Sequence, residues 1–98
     1  MTTGFSMANT VRDNPAQHRF EMDLGDSMAI ANYQLSPGVV TIYHTEVPSQ
    51  HGGQGIGSAL VRGTLDIIRA RNEKVLPRCP FVSAFIRKNP EYRDLLAS

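Results

Sequence analysis

The amino-acid sequence predicts an α/β (α+β) domain: an antiparallel meander plus one further strand, with two or three helices packed on the sheet. Two observations carry that expectation. Apolar residues recur with period two ahead of Pro48 and with helical period after Gly55. Glycine, proline and small polar residues punctuate the first half at short intervals, as tightly connected strands require.

Residues 18–24, His-Arg-Phe-Glu-Met-Asp-Leu, alternate strictly, with Phe20, Met22 and Leu24 on one side and Arg19, Glu21 and Asp23 on the other. That is the pattern of a strand with one face in the core and one in water. Gly25-Asp26-Ser27 supplies a turn. Residues 28–35 form a second strand candidate, and Ser36-Pro37-Gly38 a second turn. Residues 39–47, Val-Val-Thr-Ile-Tyr-His-Thr-Glu-Val, are dense in β-branched and aromatic types and mark a third strand. These three strands make the expected meander, residues 18–47.

Pro48 cannot donate to a ladder, so the strand ends or bulges there. A polar, glycine-rich loop comes next. From Gly55 to Asn72 the period is helical, with Ile56, Ala59, Leu60, Gly63, Ile67 and Ala70 on one stripe and Ser58, Arg62, Asp66 and Arg69 opposite. Arg62 and Asp66 stand four apart, at the spacing of a helical ion pair. Lys74 to Pro77 is a short strand candidate. Pro80 opens a second helix in which Phe81, Ala84 and Phe85 share a face, Asn89-Pro90 interrupts it, and Glu91 to Leu96 reads as a last helical turn.

Size and charge bound the function. A chain of 98 residues builds one modest core. A net charge of +1 offers no field for nucleic acid or an anionic membrane. Neither partner is expected, and any phosphate ligand has to be held by local geometry. One cysteine, Cys79, excludes a disulfide within the chain, and no run of about 18 apolar residues suggests a membrane helix. Residues 1–10 read as a flexible leader, and the default expectation is a cytoplasmic protein. His18 and His51 are not spaced to share a metal with Cys79, so no metal is expected.

The loop Gly52-Gly53-Gln54-Gly55-Ile56-Gly57 is the chemical centre of the sequence. The first turn of a helix leaves N–H groups without partners, and the helix dipole favours an anion there. Glycines let a phosphate approach the backbone closely. Gly53, Gln54, Gly55, Ile56, Gly57 and Ser58 can therefore hold a pyrophosphate through main-chain N–H groups. The competing reading is a flexible connection whose glycines only permit helix packing. Two rival phosphate motifs fit poorly. Gly57 is followed by Ser58 and Ala59 with no lysine, unlike a P-loop. The third glycine of a dinucleotide fingerprint is replaced by Ser58 or Leu60, depending on the register.

The chain resembles the GNAT superfamily of N-acetyltransferases, in a short single-domain branch. The resemblance rests on Arg19-Phe20-Glu21, His44-Thr45-Glu46-Val47-Pro48, the run Gly53 to Val61, Cys79-Pro80-Phe81-Val82 and Asn89-Pro90-Glu91-Tyr92. It implies a truncated GNAT-like fold over residues 11–98, without the helical segment that usually follows the first strand. It also implies acetyl-coenzyme A in a cleft where the strands ending near Val47 and Cys79 splay apart. The superfamily's loop pattern is Gln/Arg-x-x-Gly-x-Gly/Ala. Gly55 and Gly57 match its last two fixed places, and Gly52 stands where Gln or Arg is usual. The implied cofactor-binding residues are Val47, through its N–H, and Gly52, Gly53, Gln54, Gly55, Ile56, Gly57 and Ser58.

Acetyl transfer to an amine requires an amine without its proton, a polarised thioester carbonyl and a protonated leaving thiol. Three residues are candidates for catalysis. Glu46 is a general-base candidate or a solvated strand-end carboxylate. His44, on the same sheet face, is a base or shuttle candidate or a structural histidine. Cys79 lies at a helix start beside Arg78, where a thiol's pKa falls, and is a covalent acyl carrier or a small buried thiol. Tyr92 is an acid candidate or a packing residue. The resulting expectation is an acetyl-coenzyme A-dependent N-acetyltransferase acting on an unidentified amine. The alternatives are an acyl-coenzyme A-binding module or sensor with little turnover, and an interaction protein with a merely structural loop.

Overall fold

The computed structural model describes residues 10–52 and 55–97, so the expected leader, Thr10 apart, lies outside the described residues. One sheet of five strands runs β1 (Val11–Asn14), β2 (Arg19–Asp23), β3 (Met28–Ser36), β4 (Val39–Glu46) and β5 (Lys74–Pro77), in that spatial order. The first four pair antiparallel; β5 joins β4 in parallel after the crossover helix α1 (Ile56–Ala70). A second helix, α2 (Pro80–Lys88), and a 3₁₀ turn over Pro90–Leu95 complete the chain. The fold class is as expected, but the meander has a fourth strand. β1 is four residues long and stops at Pro15, too short to show a period of its own.

The core forms where one sheet face meets α1. Phe20, Met22, Ala29, Ala31, Tyr33, Val40, Ile42 and Val75 point from the strands toward Leu60, Val61, Leu65 and Ile68 of the helix. Each large side chain fully buried this way contributes roughly 1.5–3 kcal/mol. The buried stripe of α1 differs from the expected one. It comprises Leu60, Val61, Thr64, Leu65 and Ile68, whereas Ile67 is only half-buried and Ala70 is exposed. The helix is rolled so that Gly63 meets β1: a Cβ there would come within 2.5 Å of Val11 Cγ2. The expected face of α2 is corrected too. Val82, Phe85 and Ile86 are buried, and Phe81 is exposed.

Two polar expectations also change. Glu21, assigned to the solvent face of β2, is buried among Arg12, Arg19 and Asn14. Arg62 and Asp66 do not pair directly. Arg62 Nη1 donates to Tyr92 Oη at 3.2 Å, and Tyr92 Oη donates to Asp66 Oδ1 at 2.7 Å. Tyr92 is thereby fixed as a buried bridge between α1 and the C-terminal turn. No helix among the described residues is long and apolar enough to cross a membrane.

Candidate functional site

The site is made by a register slip. Up to Ile42, β4 pairs Tyr33↔Ile42, Gln34↔Thr41 and Leu35↔Val40; beyond it the pairs are Asn32↔His44, Ala31↔Thr45 and Ile30↔Glu46. Tyr43 is the extra residue, a β-bulge, and it inverts the alternation of the residues after it. Val40 and Ile42 face the core in the first half; in the second half Thr45 does, opposite the buried Ala31. Without the bulge His44 and Glu46 would face the helices. With it they point to the other side of the sheet, exposed, with His44 Nε2 3.4 Å from Glu46 Oε1.

The bulge lies where β5 leaves. The last pair of the parallel ladder is Ile42↔Pro77, after which Arg78 N–H and Cys79 N–H both donate to the Ile42 carbonyl at 3.0 Å. The chain then turns into α2, while β4 runs on alone to Glu46. This divergence, between Ile42 and the α2 start, is the splay expected from the sequence, although the two strands end at Glu46 and Pro77.

A cavity of ≈ 410 Å³ opens beside the free end of β4, lined by Thr45, Val47, His51, Gly52, Gly55, Ile56, Gly57, Ser58 and Phe81. Of the residues expected to bind a cofactor, Val47, Gly52, Gly55, Ile56, Gly57 and Ser58 are thus brought together; Gly53 and Gln54 lie outside the described residues. Gly55 is the N-cap of α1 at φ 74°, in the left-handed region. Gly55 has no side chain with which to cap this helix, so the N–H groups of its first turn receive no acceptor from the cap residue. Gly57 permits close packing: a Cβ there would lie 2.9 Å from Phe81 Cζ, at the first turn of α2. Both helices therefore begin at the cavity.

Cys79 is the N-cap residue of α2 and is buried, with Sγ 3.5 Å from Thr45 Oγ1. It lies beside the cavity-lining Thr45 and is not itself among the lining residues. Burial pushes its thiol pKa up. Hydrogen bonds from Thr45 and from the N–H groups of Val82, Phe81 and Thr45 outweigh that and hold it below the ordinary value. Arg78, expected to help, is exposed and is not among those groups.

Three contributors were not assigned to the site from the sequence. Thr45 reaches both the cavity and the thiol, Phe81 forms part of the wall, and His51 lines the cavity with Nε2 3.0 Å from Asp26 Oδ1 in the β2–β3 turn. Thr45 was hidden by the bulge, and the His51–Asp26 contact spans 25 residues that no local pattern connects.

A mixed sheet with a splayed parallel pair, and a glycine-rich helix start at the mouth of the splay, define an α+β fold with its cavity at the splay. Residues 19–95 match the model of the GCN5-related N-acetyltransferase family, and the chain belongs to that family. Its fold is similar to that of a GCN5-like putative N-acetyltransferase from Staphylococcus aureus solved in solution by NMR. The two share 23% sequence identity at a TM-score of 0.69, over 93% of this chain and 90% of the other.

Proposed function

We propose that the protein is an acetyl-coenzyme A-dependent N-acetyltransferase whose acceptor is an amine. The observation that carries this is the cavity itself. A helix start without a cap side chain, a left-handed glycine and the free edge of β4 converge on one space of ≈ 410 Å³. The residues fit a pyrophosphate. The first-turn N–H groups of Ile56, Gly57 and Ser58 are donors, the α1 dipole favours negative charge, and Gly52 and Gly55 keep side chains out of the way. Gly53 and Gln54 belong to the same proposed cradle, and Val47 N–H is the proposed donor on the strand side.

When bound, acetyl-coenzyme A supplies the activated acetyl group as a thioester. We assign Cys79 to the acyl end, because Thr45 Oγ1 and the α2 N–H groups stabilise charge at its Sγ. Thr45 orients the thiol from the cavity side. Glu46 and His44 remain proposed as a proton-accepting pair reached by the acceptor from the other face of the sheet. A second reading, an acyl-coenzyme A-binding module with little turnover, is favoured by one observation: none of these three candidates lines the cavity.

Calorimetric titration, combined with intact mass and amine turnover, separates the readings. Acetyl-coenzyme A is expected to bind the wild-type chain. Gly55→Val is expected to weaken binding, since a β-branched residue at φ 74° costs on the order of 1–3 kcal/mol or reshapes the loop. The space around Gly55 is open, so the effect comes from backbone strain and not from a clash. Equal binding by Gly55→Val would remove the cradle. An acetyl adduct lost in Cys79→Ser supports the covalent route. Turnover kept in Cys79→Ala and lost in Glu46→Gln supports direct transfer. Binding without turnover or adduct leaves the binding module.

A further inference from the structure

Outside the assigned residues, the feature that stands out is His51. Among the described residues lining the cavity it is the one that can carry a positive charge; Thr45, Val47, Gly52, Gly55, Ile56, Gly57, Ser58 and Phe81 cannot. It sits at the end of the Ser49–His51 turn, next to Gly52, which has no side chain to offer a ligand. Its ring is anchored from a distant part of the chain, with Nε2 3.0 Å from Asp26 Oδ1.

The anchor is well built. The β2–β3 turn is closed by Leu24 N–H donating to the Ser27 carbonyl at 2.9 Å, and Gly25 N–H donates to Asp23 Oδ1 at 2.9 Å. Asp26 Oδ1 also accepts from Ser27 Oγ at 3.1 Å. Asp26 is held in its charged form, chiefly by the hydrogen bond to His51 and then by that of Ser27. A neighbouring carboxylate favours the charged form of an imidazole.

Charge arithmetic gives the imidazolium its purpose. A pyrophosphate brings two negative charges, whereas a helix N-terminus supplies only about half a positive charge. The chain as a whole carries +1, so no bulk field makes up the difference. We propose that His51, positioned by Asp26, is the cationic half of the phosphate site, with its imidazolium binding the pyrophosphate of coenzyme A together with the α1 N-terminus. This rests on the coenzyme reading above and adds to it a side chain and a pH dependence. The Asp26 carboxylate opposes the same anion, but its side chain is 65% exposed against 19% for His51. Water therefore screens the repulsion more than the attraction. Among the described residues, the elements beside the ring, the end of β4 and the start of α1, present only uncharged side chains to the cavity.

Anion affinity is expected to be highest where the ring is protonated and to decline as rising pH removes that proton. The probe is 3′-dephospho-coenzyme A, whose pyrophosphate stays ionised between pH 5.5 and 8, with pantetheine as the ligand lacking phosphates. Wild type is expected to bind dephospho-coenzyme A on the order of tenfold more tightly at pH 5.5 than at pH 8, the scale of one charge-assisted hydrogen bond. His51→Ala should show the weaker affinity at both pH values. His51→Arg should restore tight, pH-independent binding and show that the loop still folds. Asp26→Asn should move the pH at which affinity falls to a lower value. Pantetheine should not distinguish wild type from His51→Ala.

Three results overturn the proposal. One is His51→Ala binding dephospho-coenzyme A like wild type with the pH slope retained. Another is an equal loss for pantetheine, which would make His51 a packing residue. The third is unchanged affinity with a lost limb of the pH–rate profile, which would make it a general base. Wild type failing to bind any coenzyme A derivative would sink the coenzyme reading itself, a separate outcome.

Discussion

Glu21 shows how a single residue departs from a clean pattern. Alternation in β2 assigns it to water, and its side chain does point away from the core face. Yet Arg12 Nη2 at 2.9 Å, Arg19 Nε at 2.7 Å and Asn14 Nδ2 at 2.9 Å close over it. Burial alone would raise its pKa; the hydrogen bonds of Arg19 and Asn14 and the charges of Arg19 and Arg12 prevail and hold it below the usual carboxylate range. A depressed folded-state pKa means stability that is present above the unfolded value, about 4.3, and lost as pH falls through the folded value beneath it. Chemical denaturation should therefore show stability dropping at the acid end of a series from pH 6 to 2, with a shallower drop in Glu21→Gln. Glu21→Gln should also be less stable at pH 6, by up to about 3–5 kcal/mol as for a broken buried pair. An unchanged acid slope would show that Glu21 is not a source of it. The period of β2 was legible in the sequence; the cluster was not, because two of its members come from β1, too short to announce itself.

At the scale of elements, strands, loop and helices fall close to where periodicity puts them. The candidate site was legible only where it is main chain. Gly52, Gly55, Ile56, Gly57 and Ser58 follow from the loop's composition, and Val47 from the family resemblance. The side chains around them depend on the Tyr43 bulge, which spacing cannot reveal because β4 reads as an unbroken β-rich run. The roll of α1 was likewise set by tertiary contact, since Gly63 lets Val11 of β1 close in. The bulge is testable. Deleting Tyr43 removes the extra residue and leaves the pairs on either side in place, so Thr45 stays opposite Ala31 on the core face and His44 and Glu46 stay on the other. Thr45→Val instead removes the hydroxyl whose hydrogen bond lowers the thiol pKa. In Thr45→Val the thiol's alkylation rate at neutral pH should fall, and the pH midpoint of that rate should rise. The Tyr43 deletion should keep the wild-type midpoint. A deletion variant whose midpoint rises as in Thr45→Val would mean that facing alone does not position Thr45.

For the whole molecule, the weak point of so small a core is its C-terminal closure. The Pro90–Leu95 turn buries Tyr92 and Leu95, at 5% and 4% exposure. Around them Arg69 binds Asp94 at 2.8 Å and the Glu91 carbonyl at 2.7 Å, and Lys74 Nζ donates to the Asp94 carbonyl at 2.7 Å. Ala97 N–H then donates to the Val75 carbonyl at 2.9 Å, beside the single bridge Val75↔Leu96. The turn thus packs against the Arg62, Asp66 and Arg69 side of α1, and the residues just after it occupy the outer edge of β5, the strand from which the splay departs. Exposed ion pairs such as Arg69–Asp94 add little, about 0–1 kcal/mol each. The two buried side chains decide the matter, because losing a core Leu costs about 2–5 kcal/mol and a large aromatic about 3–5. Domains of this size are stable by only about 5–15 kcal/mol in total. A chain ending at Asn89 is therefore expected to lose its cooperative thermal transition or to melt far below the full chain. Tyr92→Phe keeps the packing and removes only the bonds to Asp66 and Arg62. It should fold normally and lose about 1–2 kcal/mol. Circular dichroism melts of the two variants beside the full chain test this, and a truncated chain melting within a few degrees of wild type would show that the sheet and α1 suffice on their own.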